Sequence, residues 1–213
     1  MFVCNASNNI FLKKINQLFQ LCSLIYGVFS MGRLRTLELS ELSESQKKIY
    51  NHIDSGPRGG VAGPFLAWLR CPDYLEKLEQ VSSYLRYGTS FSPRLSEFAI
   101  LITARFWGAQ YEWYAHAPIA IKAGLPKEIV ESLRRNEVPE NLNEDESALY
   151  DFCQQVHKNH FVSDEVYASA LNRFGEKGLV ELSSLIGYYT IVSMTLNVFN
   201  LDVPEGETSP LNV

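Results

Sequence analysis

From Leu42 onward, apolar positions recur every three or four residues, and punctuation by Gly, Pro, Ser and Asn divides the pattern into helices. Ser43 or Ser45 opens an amphipathic run that reaches Asp54. Residues 55–64 hold four glycines and two prolines, which no regular element tolerates, so they form a loop. Pro64 suits the first turn of a short helix from Phe65 to Arg70, halted by Pro72. Asp73 to Arg86 carries Leu75, Leu78, Val81 and Leu85 at helical spacing, and Gly88 closes it. Ser92-Pro93 is an N-cap followed by a first-turn proline, and the helix behind it runs to Trp107. Gly108 interrupts. Further helices are predicted over Tyr111–Ala123, Lys127–Arg135, Asn143–His157 and Ser163–Phe174. A last one runs from Lys177 to Asn200. It is apolar on nearly every side, which predicts burial all round, in a core or a subunit interface. The tail from Asp202 holds Pro204, Gly206 and Pro210 and reads as loose. No segment alternates with period two, so the fold class is all-α.

The opening residues follow another rule. Residues 1–30 contain two charges, Lys13 and Lys14, and no acid. The apolar stretch behind them is too short and too polar for a confident span of ~20 residues. It imitates a signal peptide without a convincing cleavage site. The preferred reading makes 1–30 an N-terminal extension, with Met31 as the true start of a single domain over 31–213. A signal or anchor segment and a structural helix are the other two readings. Net charge is −5 with no basic block, which argues against nucleic-acid and membrane-surface partners. The four cysteines show no CxxC pair and no metal-ligand spacing, so reduced thiols in a cytoplasmic protein are expected, with no metal. His157 and His160 lack a further ligand and read as a helix end.

Chemistry concentrates between Glu97 and His116. Glu112 and His116 are four apart and share a helix face. Glu97 precedes His116 by nineteen residues, ~28 Å along one straight helix. A reversal at Gly108-Ala109-Gln110 would fold the stretch into a helical hairpin and bring Glu97 and Arg105 beside the second helix. Two carboxylates, an imidazole and a guanidinium on one wall suit proton transfer, because neighbouring charges separate the pKa values of acid and base. A surface Glu112–His116 pair worth ~0.3–0.5 kcal/mol and a structural Glu97–Arg105 ion pair are the competing explanation.

Glu97, Arg105, Gly108, Tyr111-Glu112-Trp113, His116 and Ala123-Gly124-Leu125 resemble the carboxymuconolactone decarboxylase family of the alkylhydroperoxidase D-like superfamily. The likeness extends to Pro57-Arg58-Gly59 and to Leu185-Ile186-Gly187-Tyr188-Tyr189, covering roughly residues 45–205. It implies an all-α bundle built around a helical hairpin, and a homo-oligomer (trimer, hexamer or dimer). The peroxidase branch carries CxxC where Ala109 and Glu112 stand here, so the resemblance disfavours thiol peroxidase activity. It implies decarboxylation of a small anionic lactone without a cofactor. His116 would be the proton donor, Glu112 would set its charge and Glu97 would position it. Arg105 or Arg58 would hold a substrate carboxylate, with Tyr111 a further substrate contact. A non-catalytic oligomeric member is the alternative.

Overall fold

The computed structural model describes residues 30–212. The extension read over residues 1–30 lies outside them except for its last residue. The chain divides after Glu76 into two compact units.

The first unit opens with a minimal antiparallel pair, β1 (Ser30–Met31) and β2 (Leu34–Arg35), turned by Gly32 at φ 62°. Two-residue strands are too short to show any alternation, which is why the sequence pattern missed them. Helix α1 (Glu44–Ser55) starts in a capping box: the Ser43 hydroxyl accepts from the Gln46 N–H, and the Gln46 side chain accepts from the Ser43 N–H at 2.9 Å. Gln46 also donates to the Leu69 carbonyl at 3.0 Å, which ties the start of α1 to the exit of α2 (Pro64–Trp68). The Arg70 guanidinium donates to the carbonyls of Leu66 and Arg35.

The division falls inside α3 (Pro72–Tyr87). Its buried positions include Leu75, Glu79, Ser82 and Leu85, while Val81 is exposed. The face of α3 turned inward is thus half polar, and the expected apolar stripe is only half right. Hydropathy could not mark that face.

In the second unit α4 (Pro93–Trp107) is the central helix. Residues 96–104 are buried without a break, and α4 packs against α5 (Gln110–Lys122), α6 (Lys127–Arg134), α7 (Glu144–Asn159) and α8 (Asp164–Phe199). Phe98, Ile100, Leu101 and Ile102 are almost wholly enclosed, each contributing ~1.5–3 kcal/mol by leaving water. Arg94 donates to Glu146 Oε1 at 2.8 Å through Nε, and the other Glu146 oxygen closes the capping box on Asn143. One carboxylate therefore joins the N-terminal ends of α4 and α7.

Gly175 breaks α8 at φ 67°, ψ 174°, where the sequence predicted separate helices. By length and composition α8 could cross a membrane, but 61% of its most apolar window is buried within the protein. Tyr188, Tyr189, Val192 and Leu196 face the core, whereas Val180, Ile191, Met194 and Val198 do not. Among the described residues one face is enclosed and another is open, so the core accounts for only part of the burial expected all round. The tail is corrected too. Leu211 is buried, and its backbone pairs on both sides with the Gln110 side-chain amide at 2.8 Å. A primary amide mimics a peptide group, so a proline-flanked segment is held without being a strand.

Candidate active site

The turn that assembles the site is local in origin. Gly108 takes the left-handed conformation at φ 60°, and the Ala109 N–H returns to the Ala104 carbonyl at 2.9 Å. The chain reverses there and α5 runs back along α4. Glu112 lies in the first turn of α5, where a carboxylate is favoured by the helix dipole. His116 follows one turn later.

The reversal brings Glu97 directly onto His116. Glu97 Oε2 lies 2.6 Å from Nδ1 and Glu112 Oε1 lies 2.9 Å from Nε2. All three side chains are buried. A carboxylate within hydrogen-bond reach of each ring nitrogen favours the doubly protonated imidazolium of His116. Burial pulls its pKa down, but Glu112 and Glu97 outweigh burial and the net shift is upward.

The cation beside this group is Arg86, from the last turn of α3. Its Nη2 is 3.4 Å from Glu97 Oε1, and its Nη1 lies 3.3 Å from His116 Nδ1. Nη1 also donates to the Tyr189 hydroxyl at 2.9 Å. The Tyr189 ring meets the imidazole edge-on, with centroids 5.3 Å apart. Burial holds the Tyr189 phenol above its usual range, hence protonated. Two carboxylates and two cations thus balance in one buried cluster. Neutralisation without water is the condition under which charges persist in an interior.

The structure brings together Glu97, Glu112 and His116, and within the second unit it leaves Arg105 and Tyr111 outside their hydrogen bonds. Arg105, at the far end of α4, donates to the Asn212 carbonyl at 3.4 Å. Arg58 belongs to the first unit, where its guanidinium lies 4.9 Å from the centre of the Phe65 ring. Tyr111 stands beside Tyr114, and burial with Glu112 nearby pushes its hydroxyl up to about 12. Sequence reasoning missed Arg86 and the role of Tyr189. Arg86 falls on the polar side of α3, and only helical spacing from Glu79 and Ser82 could have marked it.

Two other polar groups are structural. His157 Nε2–H donates to Thr103 Oγ1 at 3.0 Å, since the Thr103 hydroxyl already donates to the Ala99 carbonyl. Burial, and His160 nearby, push this imidazole down to about 4. Glu181 would be raised by burial, but hydrogen bonds from Ser90 and Tyr84 hold it at about 2.

No family model matches the chain, and no curated protein matches it either. Solved structures do. An uncharacterised peroxidase-related protein from Ralstonia eutropha JMP134 with an alkylhydroperoxidase AhpD core superposes with a TM-score of 0.69 at 15% identity, over 83% of this chain and 94% of that one. A peroxidase-related protein from Silicibacter sp. TM1040 gives 0.68 at 12% identity, over 85% and 95%. A protein of unknown function from Agrobacterium tumefaciens, described as an antioxidant-defence AhpD, gives 0.59 at 15%, over 65% and 95%. The chain therefore has the alkylhydroperoxidase D-like helical fold. At such identities the likeness extends to the fold alone.

Proposed function

We propose that this chain is a cofactor-free carboxy-lyase that acts on a small anionic lactone or carbonyl compound, in the manner of a 4-carboxymuconolactone decarboxylase. The observation that carries this reading is the buried imidazole of His116, held between Glu97 and Glu112. In the reaction the bond between the substrate carbon and its carboxylate breaks, and CO₂ leaves. The electron pair passes into the conjugated carbonyl, and a proton is delivered to carbon. His116 supplies that proton from Nε2, the nitrogen on the longer of its two hydrogen bonds, while Glu97 keeps the ring oriented. Arg86, rather than Arg105, is the cation within reach of a substrate carboxylate there.

The solved structures' descriptions, peroxidase-related and antioxidant defence, favour a second reading, peroxide reduction, which in this chain would be thiol-dependent. That chemistry needs an accessible thiolate. Among the described residues the cysteines are Cys71, which is exposed, and Cys153, whose thiol is buried and pushed upward by burial. Cys153 makes no contact in the His116 cluster, and Cys71 belongs to the first unit.

Assays against a carboxymuconolactone, and against an organic hydroperoxide with a dithiol, separate the two. His116→Ala should lower lactone turnover ~10²–10⁴-fold with the helical signal intact, and Cys71→Ser and Cys153→Ser should leave it unchanged. Hydroperoxide turnover abolished by a cysteine substitution, with no lactone turnover, would overturn the reading. Inactivity in both assays would assign the chain to the non-catalytic alternative.

A further inference from the structure

Two tyrosines of the second unit spend their hydroxyl groups differently. The Tyr84 hydroxyl donates to Glu181 Oε1 at 2.5 Å, so its hydrogen is committed. The Tyr189 hydroxyl is used on its acceptor side: Arg86 Nη1 donates to it at 2.9 Å, and among the described residues nothing accepts its hydrogen. Tyr189 is 3% exposed. A buried O–H without an acceptor is destabilising, so this one calls for an acceptor from outside the chain, a water or a substrate oxygen.

The position of the group points to a substrate. Tyr189 Oη lies 2.9 Å and His116 Nε2 3.4 Å from the same atom, Arg86 Nη1, and the phenol ring meets the imidazole edge-on. Arg86 is also the most exposed of the charged side chains here, at 15% against 9% for His116, 6% for Glu97 and 5% for Glu112. A molecule entering from solvent therefore meets the guanidinium first. An anion drawn to Arg86 comes within reach of the Tyr189 O–H and of Nε2 together.

Decarboxylation needs two donors. As the bond to the carboxylate breaks and CO₂ leaves, the electron pair moves through the conjugated system onto the carbonyl oxygen, giving an enolate. The pair returns from oxygen to carbon as the proton of His116 Nε2 is delivered there. In an enolate the charged oxygen and the carbon that takes the proton are separate atoms of one small plane, so a donor to each must stand a few ångströms from the other. His116 serves carbon and Arg86 serves the substrate carboxylate, which leaves the oxygen to be served. We propose that Tyr189 is a further catalytic residue: its O–H donates a hydrogen bond to the substrate's carbonyl oxygen and stabilises the enolate that forms when CO₂ leaves. The phenol keeps its proton throughout, because burial holds it above its usual range. The guanidinium bonded to the same oxygen polarises the O–H and strengthens it as a donor. A donor fixed in place before the charge develops acts most on the transition state. This role rests on the carboxy-lyase reading and adds the oxyanion contact to it.

The test measures carboxymuconolactone kinetics for Tyr189→Phe in the full chain, with Tyr84→Phe as a control on losing a phenol hydroxyl. Tyr189→Phe should lower kcat ~10²–10³-fold with unchanged circular dichroism and KM within ~3-fold of the parent. A tyrosine that only held Arg86 in place would give the opposite pattern, a higher KM at unchanged kcat, because Arg86 binds the carboxylate. Tyr84→Phe should lower the melting temperature and leave both constants alone. A second readout needs no turnover. The probe is 4-nitrophenolate, titrated in mildly alkaline buffer, whose absorption band moves when its oxygen accepts a hydrogen bond. The parent should shift the band, and Tyr189→Phe should bind the probe at least ~10-fold more weakly. A parent inert to the lactone that still binds phenolate through Tyr189 sinks the lyase reading and leaves Tyr189 as an oxyanion donor. An unchanged kcat in Tyr189→Phe overturns the proposal. So does, in a parent without lactone turnover, phenolate binding that is absent or indifferent to Tyr189→Phe.

Discussion

His116 is protonated because two carboxylates face it, and it is restrained because a guanidinium does too. Arg86 Nη1 lies 3.3 Å from Nδ1, a like-charge contact that opposes the imidazolium, and the same side chain draws Glu97 toward itself. Arg86→Met removes both effects, so the His116 pKa should rise further in an NMR titration of the ring protons. A fall, or no change, would mean that the guanidinium has no electrostatic hold on the ring. Tyr189 should feel the same substitution, since its hydroxyl loses the donor at 2.9 Å. None of this was readable from residue types. Glu97, Glu112 and His116 could be found because they lie on two consecutive helices. Arg86 and Tyr189 come from distant parts of the chain, and only packing brings them in.

Among the elements, the α4–α5 hairpin has the clearest local cause. Ser92-Pro93 starts α4 and the left-handed Gly108 ends it, and both signals are written in the sequence. Gly108→Ala forces an L side chain to φ 60°, which should cost ~1–2 kcal/mol and lower the melting temperature by a few degrees. Thermal denaturation of that variant beside Gly108→Asn measures it, with asparagine expected to be milder because it tolerates this conformation. An alanine variant as stable as the parent would show that the turn is set by packing rather than by its glycine. What the sequence concealed had non-local causes. The inward face of α3 is half polar because Glu79 and Ser82 share it with Leu75 and Leu85. The tail is ordered by one glutamine, Gln110, a hundred residues away. The open side of α8 looks, in composition, like the side that is buried.

Over the molecule as a whole, two buried histidines oppose one another in their effect on stability. His116 has a raised pKa, so its contribution is complete below the unfolded value of ~6.5 and is lost as pH rises through the folded one. His157 is depressed to about 4, so its contribution is complete above ~6.5 and is lost as pH falls from there toward about 4. Stability governed by these two groups should peak near pH 6.5. His157→Phe should flatten the acid limb of a pH series of chemical denaturation midpoints and leave the alkaline limb alone. A limb of undiminished slope would assign acid sensitivity to the carboxylates instead. The clasp of Leu211 on Gln110 bears on how the protein is made. The two residues are 101 positions apart, which at ordinary synthesis speeds of ~5–20 residues per second is a delay of about 5–20 s. During that interval Glu97 and His116 can already meet within their hairpin, while Tyr189 and the segment that secures the start of α5 have yet to be synthesised. The nascent chain therefore carries an imidazole and carboxylates in place before the wall that shelters them, and the site closes only once Tyr189 and Leu211 have been made.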